Sequence, residues 1–118
     1  MAEDSDAKMR RAEEPFSHVW MVRTFLKHSP EAEEEPELSE IHRVLYDCML
    51  ALGPAISAGD SDRYLRQLKK KLHRLKSATE QWTSLQPEVS GHTNFRMSAQ
   101  SLAAAVAELE GLLEESPK

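Results

Sequence analysis

A leucine stripe at helical spacing constrains this chain more than any other feature. Residues 60–82 read DSDRYLRQLKKKLHRLKSATEQW, in which Leu65, Leu68, Leu72, Leu75, Thr79 and Trp82 recur three or four positions apart. That spacing aligns side chains along one face of an α-helix. Such a face needs other elements to cover it, because a helix draws most of its stability from packing. The opposite face carries Arg63, Arg66, Lys69, Lys70 and Arg74 with His73 beside them, and no acid occurs between Arg63 and Thr79. One helix therefore supplies both a core-facing stripe and the most cationic surface of the chain.

Three further amphipathic segments can provide the cover. Residues 16–28 place Phe16, Val19, Trp20, Val22, Phe25 and Leu26 in a helical pattern, with Pro15 acceptable at the first turn, where no amide donor is required. A second helix is expected from Glu37, with Leu38, Ile41, Leu45, Cys48, Met49, Leu52 and Ile56 on one stripe and Val44 widening it. Gly53 and Pro54 should kink or stop that helix, and Gly59 should cap its end. The cationic helix follows, capped by Asp60 or Ser61 and running to about Leu85, before Pro87 opens a loop through Asn94. A last helix from about Thr93 carries Phe95, Ala99, Leu102, Val106, Leu109 and Leu113, with alanines at 103, 104, 105 and 107.

Residues 1–14 are polar and lack apolar periodicity, which predicts a mobile acidic tail. Residues 29–37, SPEAEEEPE, read as an acidic loop bracketed by prolines. No alternating strand pattern occurs. The fold class expected is all-α, an antiparallel up-and-down four-helix bundle forming one domain over residues 15–116. Trp20, Trp82 and Phe95 are the largest groups available to centre its core.

Function is constrained mainly by what the sequence lacks. With 118 residues and a single cysteine, the chain has neither a disulfide framework nor a cysteine metal cluster, and Cys48, set among apolar neighbours, reads as a core thiol. No carboxylate precedes any of the histidines at 18, 28, 42, 73 and 92 by three residues, the Glu-x-x-His spacing of bundle metal sites; Glu40 and His42 are two apart and face different ways. No phosphate loop, carboxylate pair or nucleophile elbow is present, so no cofactor, no metal and no catalytic constellation are expected. Without a signal-peptide run or a membrane-length apolar stretch, the expected location is cytoplasmic, with no membrane partner.

Charge is segregated along the chain. The formal net charge is −5, yet eleven of the twenty acids precede Ile41 and seven of the fifteen bases lie between Arg63 and Lys76. The cationic stripe, Arg63, Arg66, Lys69, Lys70 and Arg74, is the candidate binding surface, for a protein partner or for a second copy of the chain. Nucleic acid is disfavoured because no aromatic residue interrupts that face to stack on bases, and the overall charge is negative.

His73 offers a sharper alternative. It lies roughly 140° from the centre of the leucine stripe, given ~100° per residue, and so faces solvent. The stretch His73, Arg74, Leu75, Lys76, Ser77, Ala78 resembles the signature of histidine-containing phosphotransfer domains, with Ser77 where glycine is usual. Residues 55–60, AISAGD, look like that family's turn before its histidine helix. The resemblance covers about twenty-five residues and implies that His73 accepts a phosphoryl group, that Lys76 offsets its charge and that Ser77 leaves the ring accessible.

Overall fold

The computed structural model describes residues 4–114, which form five helices and, among the described residues, no strand. These are α1 (Ser5–His28), the single turn α2 (Glu31–Glu34), α3 (Pro36–Ala58), α4 (Ser61–Val89) and α5 (Thr93–Glu114). The four long helices pack together, α1 against α5, α3 and α4, and α4 against both α3 and α5. The result is a compact body of 46 × 24 × 19 Å.

α1 begins ten residues earlier than the apolar pattern suggests. Its N-terminus is capped by Asp4, whose carboxylate accepts a hydrogen bond from the Ala7 amide at 2.8 Å. Lys8, Ala12 and Pro15 then extend the buried stripe of Val19, Val22 and Leu26 toward the N-terminus. A lysine stem, an alanine and a proline cover the core there, which is why a search for large apolar residues misses these turns. Two tertiary hydrogen bonds fix the same end: the Ser5 hydroxyl donates to Asp62 and the Ser61 hydroxyl donates to Asp6, each at 2.6 Å. Residues 5–14 are thus helical rather than a tail. Residues 1–3, and the chain end from 115 onward, lie outside the described residues.

Pro54, expected to kink or stop its helix, and Pro87, expected to open a loop, both lie inside helices. α3 runs unbroken through Pro54 to Ala58. Leu50, whose carbonyl loses its amide partner, and Pro54 itself are both exposed, so water can satisfy the freed oxygen. Gly59 then ends the helix as anticipated, with φ 65° and ψ 25°, a conformation that costs glycine little. α4, capped by the Asp60 carboxylate accepting from the Arg63 amide at 3.1 Å, continues past Leu85 through Pro87 to Val89. Pro87 sits in the last turn, where the chain folds back on Gln86: its side-chain amide donates to the Ser90 carbonyl, and the Ser90 amide donates to the Gln86 carbonyl.

The core is centred on Trp82, which is fully buried. Its indole N–H donates to the Ser98 hydroxyl at 3.0 Å, and that hydroxyl donates onward to the Phe95 carbonyl at 2.7 Å. Phe95 stands edge-on to Phe25 with ring centroids 5.0 Å apart and lies 6.3 Å from Trp82. Trp20, expected beside them, is 43% exposed. It follows Val19 on the core stripe and is therefore turned ~100° away from it. Smaller offsets of the same kind put Tyr64 and Ala78 in the core, leave Leu65 and Leu72 half-buried, bury Leu112 more deeply than Leu113, and bury Ala55 in place of Ile56, which is exposed. Cys48 is wholly enclosed, and burial pushes its thiol pKa up.

Candidate binding surface on the fourth helix

The α4 stripe buries its apolar side against α3, α5 and α1, which turns the cationic side outward. Arg63, Arg66, Lys69, Lys70, His73, Arg74 and Ser77 are all exposed. From Arg63 to Arg74 the strip extends about 16 Å along the helix, at ~1.5 Å per residue. Its positive charge is little offset within the molecule. Arg74 meets Asp47 of α3 at 4.0 Å, with both side chains about half exposed. Among the described residues, Arg63, Arg66, Lys69 and Lys70 form no ion pair.

The acidic connector does not neutralise the strip. Asp47 is the residue of α3 that reaches Arg74, and Pro36 begins α3 about 16 Å further along at the same rise. Three of the connector's acids, Glu31, Glu33 and Glu34, instead form the single turn α2.

The phosphotransfer-like residues are partly brought together. His73 and Ser77 share the outer face one turn apart, near the middle of α4. Lys76 is directed to α5, where its ammonium donates to Glu110 at 2.7 Å. The hydrogen bond to Glu110, and then its charge, raise the lysine pKa. Lys69 and Lys70, one turn before His73, are exposed cations at the spacing that brings side chains together on a helix, whereas the adjacent Arg74 is turned away and meets Asp47.

A second concentration of charge and aromatic surface lies between α1 and α3 and was not anticipated from the sequence. The Arg23 guanidinium carbon sits 4.2 Å from the Tyr46 ring centroid and 5.9 Å from that of Trp20. His42, partly buried beside them, has its pKa lowered by desolvation and then by Arg23, Arg43 and Lys27. The signal was present: Trp20, Arg23 and Lys27 follow one another at helical spacing, beside the core stripe rather than on it.

The other histidines bear on structure or stand apart. His92 accepts a hydrogen bond at Nδ1 from the Asn94 amide at 3.0 Å and so caps α5. Among the described residues, no three or more His, Cys, Asp or Glu side chains are grouped to hold a metal ion. No helix among them is long and apolar enough to cross a membrane. No protein-family model matches the chain, and no curated protein or solved structure matches it significantly.

Proposed function

We propose that the chain is an antiparallel four-helix bundle acting as a non-enzymatic interaction module, with the outer face of α4 docking on an acidic surface of a protein partner. The bundle topology is supported at both ends. The paired hydrogen bonds between Ser5, Asp6, Ser61 and Asp62 bring the first turns of α1 and α4 together. The Phe25–Phe95 contact sets the end of α1 beside the start of α5. α1 and α4 then run one way, and α3 and α5 the other.

One observation carries the binding reading: four exposed cations in register on α4 form no ion pair among the described residues, and the fifth, Arg74, has a distant one. Long-range attraction from such a strip favours an acidic partner and weakens with salt. The test is fluorescence anisotropy with a labelled glutamate-rich peptide, comparing the native chain with the Arg66→Glu/Lys70→Glu variant. Exposed charge pairs are each worth ~0.2–1 kcal/mol, so reversing two charges should weaken binding about tenfold. Unchanged affinity in the variant would refute this reading. Equal affinity for duplex DNA at the same salt would also refute it, in favour of a phosphate-directed surface. Light scattering in parallel distinguishes a foreign partner from a second copy presenting its own acidic connector.

Phosphotransfer on His73 is the second reading, and the exposure of His73 in mid-helix favours it. In the reaction with acetyl phosphate, a ring nitrogen attacks phosphorus, the bond to the acetate oxygen breaks, acetate departs with the electron pair and the ring proton passes to solvent. Lys69 and Lys70 would offset the new charge, since Lys76 is held by Glu110. Intact mass at neutral pH should show one added phosphoryl group that His73→Gln abolishes. No gain, or a gain that survives the substitution, removes this reading.

A further inference from the structure

Away from the cationic face of α4, three of the five large apolar side chains left exposed in the described residues, Trp20, Met21 and Ile56, line one groove. The groove has a volume of about 490 Å³; Met9 and Phe16 of α1 and Tyr64 of α4 add to its apolar lining, and Arg10, Glu13 and Ser17 also border it. Methionine and aromatic side chains adapt to and anchor apolar occupants. Tyr64 is 2% exposed, and its hydroxyl makes no hydrogen bond to another described residue.

The same edge of α1 continues from the groove into positive charge. Phe16, Trp20, Arg23 and Lys27 lie three or four residues apart on a single stripe. Trp20 belongs to both halves, lining the groove and standing 5.9 Å from the Arg23 guanidinium. Across from Arg23 and Lys27, α3 contributes His42, Arg43 and Tyr46. Among the described residues, Arg23, Lys27 and Arg43 form no ion pair, and the His42 pKa is lowered first by desolvation and then by these three cations. From Met9 to Lys27 the surface runs about 27 Å, at ~1.5 Å per residue.

We propose that this seam between α1 and α3 is a second docking site, and that its occupant is an amphipathic helix of a partner protein, apolar along one face and acidic at one end. The length argues for a helix of about five turns rather than a small molecule, which the 490 Å³ apolar half alone would accommodate. The sign of the charge argues for acids at the end that meets Arg23, Lys27 and Arg43. Large side chains of the helix fill the groove as anchors, in the manner of helix-in-groove recognition. The site goes beyond the α4 surface and does not depend on it.

The probe is a labelled helical peptide of about five turns, with leucines at three- and four-residue spacing and a glutamate cluster at one end. A peptide ending in lysines and a scrambled peptide serve as controls. The glutamate-ended peptide should bind and shift tryptophan emission to the blue, a change that reports Trp20 because Trp82 is already fully buried. Ile56→Glu, at a position 40% exposed, should weaken binding at least tenfold with helical content unchanged. Lys27→Glu/Arg43→Glu should transfer the preference to the lysine-ended peptide, whereas Arg66→Glu/Lys70→Glu on α4 should leave binding as it was. The proposal is overturned if no peptide binds, if the scrambled or lysine-ended peptide binds the native chain equally well, or if the α4 variant abolishes binding. Full displacement of the peptide by decanoate would overturn it in favour of a small-molecule pocket.

Discussion

Replacing Trp82 with alanine is expected to destabilise the protein by about 3–5 kcal/mol, a large share of the ~5–15 kcal/mol typical of a domain. The indole is fully buried, so its removal leaves a cavity that the surrounding helices can close only in part. The Ser98 hydroxyl also loses the N–H it accepts from, though it still donates to the Phe95 carbonyl. Trp82→Phe keeps most of the volume and loses that single hydrogen bond, so its cost should be nearer ~1–2 kcal/mol. Trp20→Ala is the matched control, because its ring is 43% exposed, and should cost about 1 kcal/mol. Urea unfolding followed by far-ultraviolet circular dichroism measures all three. Equal losses at the two tryptophans would contradict the packing described for α1 and α4.

Cys48 should be almost inert to thiol reagents in the native protein, with labelling at least about a thousandfold slower than in the denatured chain. No part of the residue is accessible, so a reagent reaches sulfur only through an opening of the core, and the cost of opening core helices approaches the global stability. Burial raises the thiol pKa and outweighs the opposing pull of Arg74 and Lys71, which lowers the reactive thiolate fraction as well. Stopped labelling with mass detection gives the rate; modification within the dead time would mean that α3 does not enclose the residue. The same shift has a consequence for stability. A thiol with a raised folded pKa holds its proton longer in the native state, so its contribution is intact below its ordinary pKa and is lost as pH rises above it. Tyr64 acts in the same direction at higher pH, since burial pushes its phenol up to about 12.

The sequence made the core side of α3 and α5 readable because their large apolar residues recur at helical spacing without interruption. It misplaced elements where the deciding residues were small or amphipathic. Ala12 and the stem of Lys8 cover the core as larger residues would, and the serine and aspartate pairs between α1 and α4 are invisible to a hydropathy pattern. Prolines 54 and 87 leave their helices unended for a different reason. A proline forbids one hydrogen bond, and that loss is tolerable when the orphaned carbonyl faces water or the helix is already ending. Trp20 shows the limit of size as a guide to burial: one residue of offset on a helix turns a large ring from the core to a surface groove.

The cationic face of α4 was legible because seven bases within fourteen residues, without an acid, can scarcely avoid forming a surface. What the sequence could not supply was which cations are already engaged. Lys76 and Arg74 find Glu110 and Asp47 on other helices, contacts that depend on how α3 and α5 lie against α4. The seam between α1 and α3 was hidden for the same reason. Its two halves are separated in the chain and meet only through packing.

Chemical-shift mapping is the sharpest test of docking on α4, because it reports every backbone amide at once. Isotope-labelled protein is titrated with the glutamate-rich peptide at low salt and again at high salt. Low-salt shifts should concentrate on the outer face of α4 around Arg63, Arg66, Lys70 and Arg74, fade as ionic strength rises and be lost in Arg66→Glu/Lys70→Glu. Shifts confined to other helices, or none at any peptide concentration, would contradict docking on α4.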